Sequence, residues 1–417
     1  LFAYGSTANG DQPFELKGGE RILFFGDSIT QSGQYVNNFE LYLLTRYPKK
    51  QFFIINHGIS SETLSGLSEP DHDPPRPCAL DRFTRDVANW KPDIIFACFG
   101  MNDGIYHPFS KERFERFKQG VESLIERVRT ETPRARLVLV TPPPFDPYRR
   151  QVGDDSAQHF GYKFPAIDYD ETLRQYSQWM TTTNFPGVAV VDVNQALTEH
   201  LRLRRRNEVS FFLAGDGVHP DETGHWLIAA CILEACGVQG EPFALTISPS
   251  AANASAGRVF GFQSDDGGIR LDWTTELPMP LSDDCDAASL QLQNFGVRWN
   301  SWRVSVSSEL VAERPQLLVS SNAAEAPLVL APTRNELVKG VNLASDREWP
   351  PHGIARDVRD CVLRRNKARY DLWRARIQTP DPSDDQELPA DDEAETNAIR
   401  ALVQPQSMHI ELSTRKE

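Results

Sequence analysis

Five strand-sized apolar runs, each followed by a polar turn and most then by a helical pattern, occupy the first half of this chain. The runs lie at residues 21–25, 51–56, 93–99, 136–140 and 188–193, and the helical patterns at 35–47, 79–90, 111–129, 168–183, 194–206 and 222–236. Continuous apolar strands separated by amphipathic helices predict a parallel sheet covered on both faces, an α/β domain. In such sheets the turns after the strands share one rim, where ligand sites form. The residues in those turns therefore matter most for function.

Four of the turns carry side chains with chemistry. Gly26-Asp27-Ser28 follows the first strand, Asn56-His57-Gly58-Ile59-Ser60 the second and Gly100-Met101-Asn102-Asp103 the third, while Asp216-Gly217-Val218-His219 precedes the last helix. Singly, each fits an ordinary turn or helix cap. Together they supply the parts of nucleophilic acyl transfer. A serine hydroxyl is weak until a base takes its proton, and His219 is suited to be that base for Ser28. Asp216, three residues earlier, can accept from the imidazole and fix its tautomer. The oxyanion needs fixed donors, for which the N–H groups of Ser28 and Gly58 and the Asn102 amide are candidates.

With these blocks in that order, the sequence resembles the GDSL family of lipases and acylhydrolases, in its SGNH hydrolase branch. The resemblance covers about residues 20–236. It implies a flavodoxin-like three-layer α/β/α domain and ester hydrolysis through an acyl-enzyme, with catalytic Ser28, Asp216 and His219 and an oxyanion hole of Ser28, Gly58 and Asn102. No metal and no cofactor are expected. Two positions depart from the pattern: Ile29 stands where the family name has Leu, and Ser61 where many relatives have Gly. No Gly-x-Ser-x-Gly elbow surrounds Ser28, which disfavours the larger α/β-hydrolase lipases.

Composition narrows the partners. A net charge of −14 argues against nucleic acid or an anionic membrane surface. No apolar run approaches the ~20 residues of a membrane span. Six cysteines show no zinc-site spacing. Cys98, Cys231 and Cys236 read as buried thiols, whereas Cys78, Cys285 and Cys361 are candidates for one disulfide. His57 and His107, beside two of the blocks, fit loop histidines better than cleft residues. The chain begins at Leu1, and the expectation for its compartment is export, secreted or periplasmic, with the cytoplasm as the alternative.

The expected organisation is a catalytic domain at 20–238 and an extension at 239–376, holding a small antiparallel β element and a helix. An acidic, mobile tail is expected at 377–417, where residues 381–395 hold eight acids and no base. The expected reaction is removal of acetyl groups from a carbohydrate ester. A lipid acylhydrolase or thioesterase is the alternative within the family, and a glycan-binding or scaffolding protein with a vestigial site is the alternative outside it. Oligomeric state is not legible.

Overall fold

The computed structural model describes residues 15–150, 152, 160–238, 240, 242–265, 268–321, 326–378 and 390–413. Its first sheet has five parallel strands, β1 (Arg21–Gly26), β2 (Phe53–Gly58), β3 (Ile94–Cys98), β4 (Arg136–Val140) and β5 (Val188–Val191), in the order β2-β1-β3-β4-β5. The helices of this half are α1 (Ser28–Gln31), α2 (Gln34–Arg46), α3 (Phe83–Asp86), α4 (Lys111–Glu131), α5 (Tyr169–Thr182), α6 (Val193–Arg204) and α7 (Glu222–Ala235). The expected run at 79–90 is instead α3 between two 3₁₀ turns. At the joint, Arg82 turns inward to pair with Glu62 at 2.6 Å.

Alternation along β1 explains the layers. Ile22 and Phe24 face a core shared with Tyr35 and Phe39 of α2, Leu197 of α6 and Trp226 of α7. Leu23 and Phe25 face the opposite core, with Phe83, with Phe117 and Leu124 of α4, and with Tyr176 of α5. Both faces of the sheet are thus buried, which is why its strands read as unbroken apolar runs. The half is the three-layer α/β/α, flavodoxin-like fold that the family resemblance implies, built on the doubly covered parallel sheet that the sequence pattern predicts. The strand order reverses at β1, between β2 and β3, and the crevice beyond that point receives Ser28.

Two further sheets follow. One holds β6 (Phe243–Ile247), β7 (Ala252–Ala254), β10 (Trp302–Val306) and β13 (Val341–Asn342), and the other β8 (Arg258–Asp265), β9 (Gly268–Thr275), β11 (Leu317–Ser320), β12 (Leu328–Leu330) and β14 (Gln406–Leu412). They close on a core of Trp273, Trp302, Val304, Leu317, Met408 and Ile410. Short helices α8 (Ala287–Leu292), α9 (Phe295–Arg298) and α10 (Arg334–Lys339) join the strands. The β element is larger than expected and not wholly antiparallel, since β6 and β10 run parallel.

The expected mobile tail requires correction where the chain is described. Helix α12 (Ala390–Leu402) buries Ile399 in the catalytic core, and β14 pairs with both β9 and β11. Met408, Ile410 and Leu412 alternate inward on β14, so the acidic stretch ends in a strand that has apolar surface to bury. Residues 379–389 lie outside the described residues. The expected disulfide is also absent, for Cys78, Cys285 and Cys361 are free thiols like the other three.

The long helix α11 (Pro351–Gln378) belongs to the catalytic half rather than to the β sheets. Its Ala355, Val358 and Val362, spaced for one face, enter the core that contains Phe24 and Tyr35. Arg365 reaches Glu40 of α2 at 2.5 Å with both side chains 4% exposed, and Arg369 pairs with Asp392 of α12.

Candidate active site

Ser28 opens α1 directly after β1. Asp27 is the N-cap, its carboxylate accepting the Ile29 N–H at 3.0 Å. A side chain at Gly26 would meet Thr30 Oγ1 at 2.0 Å and the Cys98 carbonyl at 2.7 Å, so the turn that presents Ser28 demands glycine. Burial pushes the Asp27 carboxyl up to about 7, although the Ile29 N–H works to lower it.

Asp216 and His219 arrive from the loop before α7. Asp216 Oδ1 accepts the N–H groups of Val218 (3.0 Å) and His219 (2.8 Å), which fixes the turn between them. Its Oδ2 accepts from His219 Nδ1 at 2.7 Å and from the Tyr162 hydroxyl at 3.1 Å. Burial works to raise this carboxyl, but the hydrogen bonds from the His219 ring and from the His219 and Val218 N–H groups outweigh it. Asp216 is held well below the usual carboxylate range. With Nδ1–H donated to Asp216, the lone pair of His219 Nε2 faces Ser28 Oγ, 2.9 Å away. The three side chains form one hydrogen-bonded line from carboxylate to hydroxyl.

Asn102 lies after β3 and is 3% exposed. Its Oδ1 accepts the Tyr106 hydroxyl at 3.0 Å, and its Nδ2 donates one hydrogen to the Glu62 carbonyl at 3.1 Å. An amide nitrogen carries two hydrogens, so one remains for the cleft that Asn102 lines with Ser28 and His219. Asp103, fully buried, accepts the N–H groups of Leu64 (2.8 Å) and Ser65 (2.7 Å), binding the loop after β2 to the turn after β3. Burial pushes its carboxyl up to about 6.

Gly58 departs from expectation. Its N–H donates to Asn56 Oδ1 at 2.9 Å and is not free for an oxyanion. Glycine is needed there because a Cβ would lie 2.3 Å from the Gln31 nitrogen. The cleft is lined by Ser61 instead, in the left-handed region at φ 67°. Among the described residues its N–H meets no acceptor. The signal was present in the sequence, since Ser61 was the departure from glycine. Tyr162, on Asp216, left no such signal.

His57 is buried in β2, stacked on Trp373 of α11 at 4.1 Å, and His107 is likewise outside the cleft lining. Among the described residues no group of three His, Cys, Asp or Glu side chains is placed to hold a metal, and no helix is long and apolar enough to cross a membrane. The cleft encloses about 410 Å³, and its walls include Glu69, Asp71, Arg76, Tyr106, Tyr162 and Lys163.

Residues 24–227 match the model of the GDSL-like lipase/acylhydrolase family. This part of the chain belongs to that family. As a GDSL hydrolase the protein is a carboxylic ester hydrolase, in agreement with the Ser28–His219–Asp216 line. An acetylxylan esterase of Geobacillus stearothermophilus is 25% identical over 249 residues, 54% of this chain and 97% of that one. The solved structure of a gut microbial diltiazem-metabolizing enzyme shares the fold across 98% of this GDSL hydrolase and 100% of its own chain, with a TM-score of 0.76 at 19% identity. The β sheets and C-terminal helices are therefore part of a shared architecture.

Proposed function

We propose that this hydrolase removes acetyl groups from a carbohydrate ester. The observation that carries the chemistry is the 2.9 Å contact between Ser28 Oγ and the His219 Nε2 that Asp216 leaves free. As Ser28 Oγ attacks the ester carbon, its proton passes to His219 Nε2 and the carbonyl electron pair moves to oxygen. The Ser28 and Ser61 N–H groups and the Asn102 amide receive that charge. Collapse breaks the bond to the alcohol, which leaves with the proton from His219. Water then attacks acetyl-Ser28, His219 taking its proton and returning it to Ser28 as acetate departs.

The substrate class rests on the walls. Asp71 and Lys163 stand exposed in those walls and offer hydrogen bonds and charge, while Glu69 and Arg76 are buried and paired with each other; such walls suit hydroxyl groups better than a long acyl chain. The acetylxylan esterase relative supports the same reading. A panel of aryl esters of rising acyl length, run beside acetylated xylo-oligosaccharides, tests it. Acetyl esters are expected to be turned over fastest, and faster turnover of long-chain esters would favour the lipid acylhydrolase. In the same panel Ser28→Ala is expected to lose ~10³-fold or more of kcat with the fold retained. A folded Ser28→Ala protein with near-normal turnover would remove the nucleophile.

A further inference from the structure

Ser28 and His219 line a second groove of about 630 Å³, which leaves the reacting pair in another direction. One wall comes from α1, α2 and the turn between them, and the other from α11, far along the chain. Leu363, Asn366, Lys367, Tyr370 and Asp371 supply that second wall. Their spacing of i, i+3, i+4, i+7 and i+8 is one continuous helix face.

The wall is rigidly held. The Tyr370 hydroxyl donates to the Gly58 carbonyl at 2.9 Å, and Asn366 Nδ2 donates to Asn37 Oδ1 at 2.9 Å and Glu40 Oε2 at 2.7 Å. The adjacent face is anchored by the buried Arg365–Glu40 and Arg369–Asp392 pairs. Lys367 and Asp371, paired with each other, are exposed at the groove and contribute no core packing. The groove thus offers an aromatic edge, amides, and one exposed cation and anion.

We propose that this groove binds the alcohol part of the substrate, a glycosyl chain, and that Lys367 and Asp371 determine specificity for it. The inference rests on the carbohydrate-ester reading. Ser61 and Asn102, the donors for the carbonyl oxygen, line the 410 Å³ cleft and not this groove. Acetate is too small to need either space, and the alcohol must lie beside His219, which lines both, so a glycosyl chain whose reacting sugar meets the polar cleft continues into this groove. A polar helix face at that place fits hydroxyl groups.

The test uses Lys367→Ala and Asp371→Ala in the full chain, both surface changes that leave the core untouched. Turnover of acetylated xylo-oligosaccharides, aryl acetate and aryl hexanoate is measured, together with inhibition of aryl acetate hydrolysis by the deacetylated oligosaccharide. The expected result is a fall of about tenfold in the ratio of kcat/KM for sugar ester over aryl acetate, with a matching rise in the oligosaccharide inhibition constant. Unchanged ratios and inhibition constants would overturn the inference while leaving the carbohydrate reading intact. A changed preference between aryl acetate and aryl hexanoate, with the sugar-to-aryl ratio unmoved, would assign the groove to the acyl group and overturn it too. Wild-type protein inactive on the sugar ester would instead remove the carbohydrate reading, and the inference with it.

Discussion

Asn102 separates a residue that shapes a turn from one that works during the reaction. Here one amide hydrogen holds the Glu62 carbonyl, and the second remains for the cleft that Asn102 lines. If the free hydrogen meets the oxyanion, Asn102→Ala is expected to lower kcat by ~10²- to 10³-fold with little change in KM. A variant that melts earlier but turns over within a few-fold of wild type would show that only the turn depends on it. His57 is the opposite case, a histidine that stability depends on. Its Nδ1–H donates to the Asp86 carbonyl at 2.7 Å, and burial pushes its imidazole down to about 4. The unfolded chain takes up this proton as pH falls through ~6.5, whereas the folded one does so only near 4. His57 therefore contributes stability that is present above pH ~6.5 and lost progressively toward pH 4. The buried carboxyls of Asp27 and Asp103, pushed up to about 7 and 6, act in the reverse sense over the same range. The contribution of His57 is isolated by comparing melting temperatures of wild type and His57→Gln from pH 7 to 4.5. The gap between the two is expected to narrow on acidification, and a constant gap would refute the assignment.

Among the elements, those readable from sequence are those whose signal is local. The five strands of the first sheet are unbroken apolar runs, and Ser28, Asn102, Asp216 and His219 fall in turns or loops beside their ends, so both were legible. The oxyanion donor was not, because sequence does not say which N–H in a loop faces inward. Gly58 gives its N–H to Asn56, and Ser61 rather than Gly58 lines the cleft. Helix α11 was legible as a helix, but its docking was hidden, since Arg365 meets Glu40 across 325 positions of chain. That contact also gives a prediction. Both partners are almost wholly buried, and removing one leaves the other charge without its ion-pair partner in the interior. Arg365→Ala is expected to lower unfolding free energy by about 3–5 kcal/mol in denaturant titration. A loss below about 1 kcal/mol would place the pair among exposed bridges of little consequence.

At the scale of the whole molecule, the segment after α11 belongs to two cores at once. Ile399 and Val403 enter the catalytic one, and Met408, Ile410 and Leu412 the β one. Deleting residues 377–417 is expected to lower the melting temperature markedly and to abolish the second β sheet, as read by thermal melts and circular dichroism. A truncated protein melting with the full chain would show the segment dispensable. Because β14 lies between β9 and β11 yet is made after both, the nascent chain carries two facing unpaired strand edges until residues 406–412 emerge from the ribosome. Such edges invite pairing with other chains, so the interval is one of exposure to aggregation. Ser28 and His219 are synthesised well before α11 is anchored by Asp392. Assembly of the site therefore follows the order of translation, with the reacting atoms first and the second wall of their groove last.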